Sequence, residues 1–178
     1  HEVYIENEAG QLSGYTNQNY QEAGAHISAD LASIYQADLI IKVKEPMPQE
    51  LALLNSSQIL FCYLHLAAYP QVLQQLLEKK VTALAFETLT VNEKLPLLSP
   101  MSAIAGRLAV QLAMQYLQKN QGGAGVLLGG DFNVYQRGCV VVLGAGIAGT
   151  QAALLAAALG AKVYVLDKSQ AALDNLLK

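Results

Sequence analysis

The stretch VVVLGAGIAG, residues 140–149, constrains this chain more than any other. A β-branched run stops at Gly144 and an alanine-rich run begins after Gly146, so strand, tight turn and helix follow without a spacer. In Gly144-Ala145-Gly146-Ile147-Ala148-Gly149 the first glycine permits the sharp reversal, and the second lets the backbone approach a pyrophosphate. The third lets the helix lie close on the strand. The helix start offers free N–H groups and a partial positive charge to phosphate oxygens. Asp167 ends the next apolar run, where a carboxylate accepts hydrogen bonds from an adenosine ribose and repels a 2′-phosphate. Together these positions predict a site for NAD rather than NADP, with Lys168 weakening that preference. The alternative is a glycine-rich turn that binds nothing.

Composition removes other classes. Apolar residues make up 53% of the chain and charged residues 14%, against about 25% charged in an ordinary domain, which excludes a disordered tail. The net charge of −3 and pI of about 5.6 argue against a nucleic-acid partner. Residues 139–161 carry no charge and are long enough to cross a bilayer, but four glycines divide them into a strand and a helix. We therefore expect no membrane span. Cys62 and Cys139 sit in separate apolar runs and form no disulfide framework, which fits a reduced, cytoplasmic setting. No Cys/His/Asp spacing indicates a metal site. With no basic start or apolar stretch after His1 we expect no secretory signal, and His1 in place of an initiator Met predicts a processed chain or a fragment.

Strands are predicted at 3–6, 37–43, 58–64 and 81–86, and helices at 19–25, at 31–36 with Asp30 as cap, and at 70–80. In the last of these Val72, Leu73, Leu76 and Leu77 share one face. Residues 9–18 read as a loop, and Pro46 and Pro48 as the end of a strand. Near-continuous apolar strands alternating with helices predict an α/β fold with a parallel sheet covered on both faces. A long helix is predicted over 100–119, with Ile104, Leu108, Leu112 and Leu117 at helical spacing and Ser102 at its start. QGGAGVLLGG, residues 121–130, lacks the Lys-Ser/Thr pair of a nucleotide P-loop and reads as a mobile link. From 138 a second unit begins, with strands at 139–143 and 162–166, a helix at 147–159 and a last helix capped by Ser169. Two strands cannot bury both faces of a sheet, so this unit reads as truncated. The predicted organisation is a flavodoxin/Rossmann-like parallel-sheet substrate domain at 1–99, a helix and glycine-rich link at 100–137, and the start of a Rossmann NAD-binding domain at 138–178.

Ligands of parallel α/β sheets collect at the carboxyl edge of the strands. Lys44, His65 and Glu87 each follow an apolar strand and share that edge if the strands are parallel. An ammonium there holds an anionic or carbonyl oxygen, and an imidazole trades a proton at neutral pH. With NAD, this pair suits hydride transfer at a carbon bearing oxygen or nitrogen, as in a 2-hydroxy or 2-amino acid. Plainer readings stay open. His65 is a hydrogen-bonded structural residue, Lys44 and Glu45 are a solvated turn pair, Glu87 pairs with either site residue, and Tyr63 packs.

IKVKEP at 41–46, FCYLHLAA at 61–68, ALAFET at 83–88, LLSPMSAIAGRLAVQ at 97–111, QGGAGVLLGG at 121–130 and VVVLGAGIAG at 140–149 together resemble bacterial alanine dehydrogenase. The likeness covers nearly the whole chain in the family's order. The N-terminal part of proton-translocating transhydrogenase is similar in layout but is not expected to carry YLHLAA. The resemblance implies reversible NAD-dependent oxidative deamination of L-alanine to pyruvate and ammonia. It places the substrate-binding lysine on Lys44, the acid/base histidine on His65, a cofactor-contacting serine on Ser102, the pyrophosphate turn on Gly144, Gly146, Ile147, Ala148 and Gly149, and the ribose acid on Asp167. It also implies a nicotinamide in a cleft facing Lys44 and His65, and a homo-oligomer, hexameric or dimeric.

The departures matter as well. Family chains begin earlier, with an arginine that grips the substrate carboxylate, and continue further, with a catalytic aspartate. A basic residue often found shortly after the ribose acid is replaced by Ala171 and Ala172. No turnover is expected from these residues alone. A transhydrogenase-type NAD(H) domain and a non-catalytic NAD-binding module are the remaining alternatives.

Overall fold

The computed structural model describes residues 1–129 and 137–176. The chain divides into two compact units, His1–Val91 and Asn92–Lys178.

The first unit runs β1 (Tyr4–Glu6), α1 (Asn17–Glu22), β2 (His26–Ser28), α2 (Leu31–Ile34), β3 (Leu39–Ile41), α3 (Pro48–Leu53), β4 (Ile59–Cys62), α4 (Pro70–Lys79) and β5 (Thr82–Ala85). β1 and β2 form a two-stranded parallel sheet, and β3-β4-β5 form a second parallel sheet in chain order. Two successive crossovers of the same hand in the same direction place their helices on one face of such a sheet, and α3 and α4 share one core with the strands. That face holds the core: Ile40, Leu60 and Cys62 from the strands, Leu51 and Leu54 from α3 and its end, Val72 and Leu76 from α4, and Tyr35. The sheet is therefore covered on one face rather than on the two expected, and Leu39, Ile41, Ile59 and Leu84 are exposed.

Local chemistry explains the element ends. Asp30 caps α2, its carboxylate accepting from the N–H groups of Ala32 and Ser33 at 3.1 Å each. Pro48 does more than end a strand. At the first turn of α3 its fixed φ suits a helix start, and Glu50 reaches back to accept from the Met47 N–H at 2.5 Å. α4 stops at Lys80, which takes a left-handed φ of 54°. Lys79 donates to the carbonyls of Ala52 and Leu54 at 2.9 and 3.0 Å, tying α4 to the last turn of α3. Of the predicted α4 face only Val72 and Leu76 are buried; Leu73 and Leu77 are exposed. Strand β2 went unpredicted because its three residues carry no apolar run, and its order comes from pairing with β1.

The second unit contains α5 (Leu98–Tyr116), β6 (Cys139–Leu143), α6 (Ile147–Ala158), β7 (Lys162–Leu166) and α7 (Gln170–Leu176), with β6 and β7 paired parallel. α5 packs on α6. The helix forms as predicted; of the residues at helical spacing Leu117 packs against the core of Val110, Leu128 and Ala156, while Ile104, Leu108 and Leu112 are about half exposed and Gly106 and Val110 are buried. A Cβ on Gly106 would lie 2.1 Å from the Ala148 carbonyl oxygen, so the close helix contact runs along the small residues and leaves the bulky stripe outside.

The glycine-rich segment is not a loose link over its described part. Lys119–Gln121 form a 3₁₀ turn, the Gly125 N–H donates to the Leu117 carbonyl at 2.7 Å, and Leu128 is buried with Val110 and Ala156. Gly130, its last residue, lies outside the described residues. Among the described residues no helix is long and apolar enough to cross a membrane.

Candidate active site and dinucleotide turn

Parallel pairing aligns the carboxyl ends of three strands. Ile41 pairs with Phe61, and Cys62 with Ala85. Beyond β3 and β4 the two chains stay together, because the Tyr63 N–H donates to the Val43 carbonyl at 3.0 Å. Lys44 and His65 follow this last bond, so one edge of one sheet carries both.

The two lysines of IKVKEP differ sharply. Lys42 forms an ion pair with Glu50 of α3, whose side chain is 7% exposed. Burial pushes the Glu50 carboxyl up, but the Lys42 ammonium and the Met47 N–H outweigh it and hold the group below the usual range. Lys44 is 71% exposed, with its Nζ 3.8 Å from a Glu45 carboxylate oxygen. An exposed pair at that separation holds a side chain weakly, so the Lys44 ammonium is available to a ligand.

His65 is exposed and takes a left-handed backbone, with φ of 47°. For a residue with a Cβ this costs about 1–2 kcal/mol, and neighbours hold it there. Its imidazole stacks on the Tyr63 ring, with centroids 5.9 Å apart and planes 12° apart. Phe86 meets that Tyr63 ring edge-on at 5.2 Å. Glu87 pairs with neither site side chain. Its carboxylate accepts from the His65 N–H at 2.8 Å and from the Leu64 N–H at 3.2 Å to each oxygen. Desolvation raises the Glu87 carboxyl, but these backbone donors and the nearby imidazole outweigh it, and the net direction is down. Cys62 lies beneath this edge, fully buried, and burial pushes its thiol up to about 12, so it is no nucleophile at neutral pH.

In the second unit the glycine turn behaves as its spacing requires. Gly144 has φ of 105°, a conformation that favours glycine. A Cβ on Gly149 would lie 1.8 Å from the Gly144 carbonyl oxygen, whereas one on Gly146 would meet nothing within 4 Å. The open side of the turn is thus at Gly146, where α6 begins and Ile147 and Ala148 are exposed. A concavity of about 350 Å³ lies there, lined by Ala145, Gly146, Ile147, Thr150 and, from α7, Ala172 and Asn175. Asp167 accepts from the Ala145 N–H at 2.6 Å and from the Ser169 N–H at 2.7 Å. These two donors hold its carboxyl below its usual value. Ser102 is half-buried in the second turn of α5. Among the described residues no group of three or more His, Cys, Asp or Glu is placed to hold a metal ion.

Two family models match in tandem: alanine dehydrogenase/PNT, N-terminal domain, over residues 1–105, and alanine dehydrogenase/PNT, C-terminal domain, over residues 109–178. The chain belongs to the alanine dehydrogenase/PNT family. Alanine dehydrogenase of Bacillus subtilis (strain 168) is 47% identical over 167 residues, 94% of this chain and 44% of that protein. Alanine dehydrogenase of Methanococcus maripaludis is 51% identical over 169 residues, 94% of this chain and 45% of that protein. Among solved structures, an L-alanine dehydrogenase matches with a TM-score of 0.88 at 45% identity, over 99% of this chain and 49% of that one. A transhydrogenase from Sinorhizobium meliloti matches with a TM-score of 0.79 at 26% identity, over 99% of this chain and 52% of that one. The chain spans about half the length of the curated relatives it matches.

Within this alanine dehydrogenase/PNT fold, the residues singled out from sequence fall into two groups. Lys44 and His65 share the sheet edge of the first unit. The glycine turn and Asp167 meet in the second, joined by the Ala145 hydrogen bond. Sequence reading gave Tyr63 as a packing residue, which its ring contacts with His65 and Phe86 bear out, and missed what the Glu87 carboxylate does. The nearness of Glu87 to His65 in space comes from strand pairing, and only its position at a strand end pointed toward it.

Proposed function

We propose that this chain carries part of the active site of an alanine dehydrogenase, converting L-alanine, NAD⁺ and water to pyruvate, ammonium, NADH and a proton, reversibly. One observation carries the reading. A lysine ammonium and an imidazole sit at the same carboxyl edge of a parallel sheet, in a chain 47% and 51% identical to two named alanine dehydrogenases. The reading keeps 1–99 as substrate domain and 138–178 as the opening of the nucleotide domain, and it carries the expectation of a homo-oligomer.

The residues present fit NAD. The space at Gly146, the free N–H groups at the start of α6 and the adjoining concavity suit a pyrophosphate. A carboxylate has about four acceptor sites. Asp167 uses two on Ala145 and Ser169, which leaves acceptors for ribose hydroxyls. Ser102 completes the proposed cofactor set. When bound, NAD⁺ supplies the acceptor for the hydride that leaves the alanine Cα.

In the steps that fall to the chain, Lys44 holds the oxygen side of the substrate. After hydride departure the alanine carbon is an imine. His65 takes a proton from the water that attacks that carbon and returns it to the departing nitrogen. Lys44 stabilises the charge that develops on the new oxygen, an effect worth several kcal/mol, on the order of 3, where such a donor is preorganised.

The test is an alanine-dependent rise in NADH absorbance from the full-length protein, abolished by His65→Ala. No signal with alanine rejects the reading. The 26% identical transhydrogenase structure supports a second reading, in which the hydride partner is another nucleotide. Hydride exchange between two nicotinamide nucleotides without alanine turnover would favour it. Cofactor binding with no turnover of either kind would leave a non-catalytic module.

A further inference from the structure

We propose that Glu87 is a positioning residue, fixing the backbone turn that presents the His65 imidazole; the proposal rests on the role given to His65 above. The β4 ladder ends at Cys62, and the Tyr63 N–H makes the last bond to the neighbouring chain. The next two N–H groups, of Leu64 and His65, lie past any strand partner and converge on the Glu87 carboxylate. On the other side of the residue, the His65 carbonyl accepts from the N–H groups of Ala68 at 2.8 Å and Tyr69 at 3.2 Å. The left-handed His65 is thus gripped at both its amide and its carbonyl.

The same short 3₁₀ turn, Phe86–Thr88, supplies a second grip. Phe86 braces the Tyr63 ring edge-on, and the imidazole lies flat on that ring. Backbone and ring are therefore both set from the segment that follows β5. Two successive N–H groups pointing the same way make an anion-binding concavity. Here the protein's own carboxylate fills it, so that concavity is closed to a substrate carboxylate. Glu87 acts through the His65 backbone and touches no reacting atom.

The experiment uses the full-length enzyme with Glu87→Ala, Glu87→Gln and His65→Ala. Oε1 accepts from both N–H groups, so a glutamine carbonyl at that place retains both bonds without the charge. Turnover with alanine, KM for NAD, melting temperature and hydrogen exchange of the Leu64 and His65 amides are measured for each. We expect Glu87→Ala to lower kcat by about 10²-fold, the scale of a misplaced catalytic group. We expect its KM for NAD to stay unchanged and both amides to exchange rapidly. Glu87→Gln should stay close to wild type in kcat and in amide protection. Undiminished kcat in Glu87→Ala, or amides as protected as in wild type, overturns the proposal. So does a Glu87→Gln loss as large as that of Glu87→Ala, which would make charge the agent rather than hydrogen bonding. Should Glu87→Ala fail to fold, Glu87→Asp replaces it. Its shorter side chain should lower kcat with little change in melting temperature, and unchanged kcat overturns the proposal. Full turnover in His65→Ala removes the reading of the histidine and this proposal with it. Loss in His65→Ala alone removes only the positioning.

Discussion

The Asp167 carboxylate accepts a hydrogen bond from the Ala145 N–H at 2.6 Å, tying the acid that ends β7 to the glycine turn that ends β6. One side chain therefore has two tasks in the proposed site: shaping the turn and facing a ribose. We predict that Asp167→Ala in the full-length enzyme weakens NAD by roughly tenfold, the scale of one charged hydrogen bond, and narrows its advantage over NADP. Calorimetric titration with both nucleotides measures this. Equal affinities in the unmodified enzyme would remove the ribose role of Asp167.

The glycines of the turn separate folding from binding. Gly149→Ala puts a methyl 1.8 Å from the Gly144 carbonyl oxygen, so the turn must move. We predict a loss of about 2 kcal/mol or more in stability together with weaker NAD binding. Gly146→Ala meets no atom within 4 Å and should leave the melting temperature unchanged while weakening NAD. Thermal unfolding and NAD titration on the two variants read the contrast. A destabilised Gly146→Ala would contradict it.

The two lysines of IKVKEP give a second pair. Lys42→Met leaves the Glu50 carboxylate, only 7% exposed in its side chain, without its cation. The expected cost is about 2–3 kcal/mol, at the low end for a broken buried pair because Lys42 is itself partly exposed. Lys44→Met removes an exposed ammonium and should change stability by about 0.5 kcal/mol or less. It should nonetheless depress alanine turnover strongly. Denaturant titration and steady-state kinetics on both proteins decide the matter. A Lys44→Met enzyme with full turnover would end the proposed role of that lysine.

Acid sensitivity follows from three carboxylates. Glu50 and Glu87 are held below their usual 4.5 and Asp167 below its usual 3.8. For a carboxyl lowered in the folded state, the contribution to stability is complete above the unfolded pKa and fades as pH falls through the folded value. The melting temperature should therefore be nearly flat from pH 7 to about 5 and decline below about 4. Glu50→Gln should reduce that decline, because the neutral amide has no such linkage. Differential scanning calorimetry across this range provides the check, and an unchanged acid limb in Glu50→Gln would count against the assignment.

Patterns local in sequence were legible. VVVLGAGIAG gave strand, turn and helix because each glycine answers a constraint within ten residues. The edge carrying Lys44 and His65 was legible too, since apolar runs alternating with helices imply parallel strands. What escaped was long-range. Gln58 looked like the first residue of a strand. It is a buried amide that donates to the Tyr35 and Ala37 carbonyls at 2.6 and 2.9 Å, partners far back along the chain. The α5 stripe of Ile104, Leu108 and Leu112 has the right period for a core face, yet Gly106 wins the contact because only a residue without a side chain lets α6 come so near. Periodicity reports which residues share a face, and does not report which face a neighbour chooses.

The clasp on His65 has a consequence for how the molecule is made. The carboxylate that restrains the histidine arrives with the segment after β5, so a nascent polypeptide emerging from the ribosome presents that histidine unrestrained until β5 has docked beside β4. The loop that presents His65 is thus among the last parts of the first unit to be fixed, and lesions in β5 would release it even where they spare solubility.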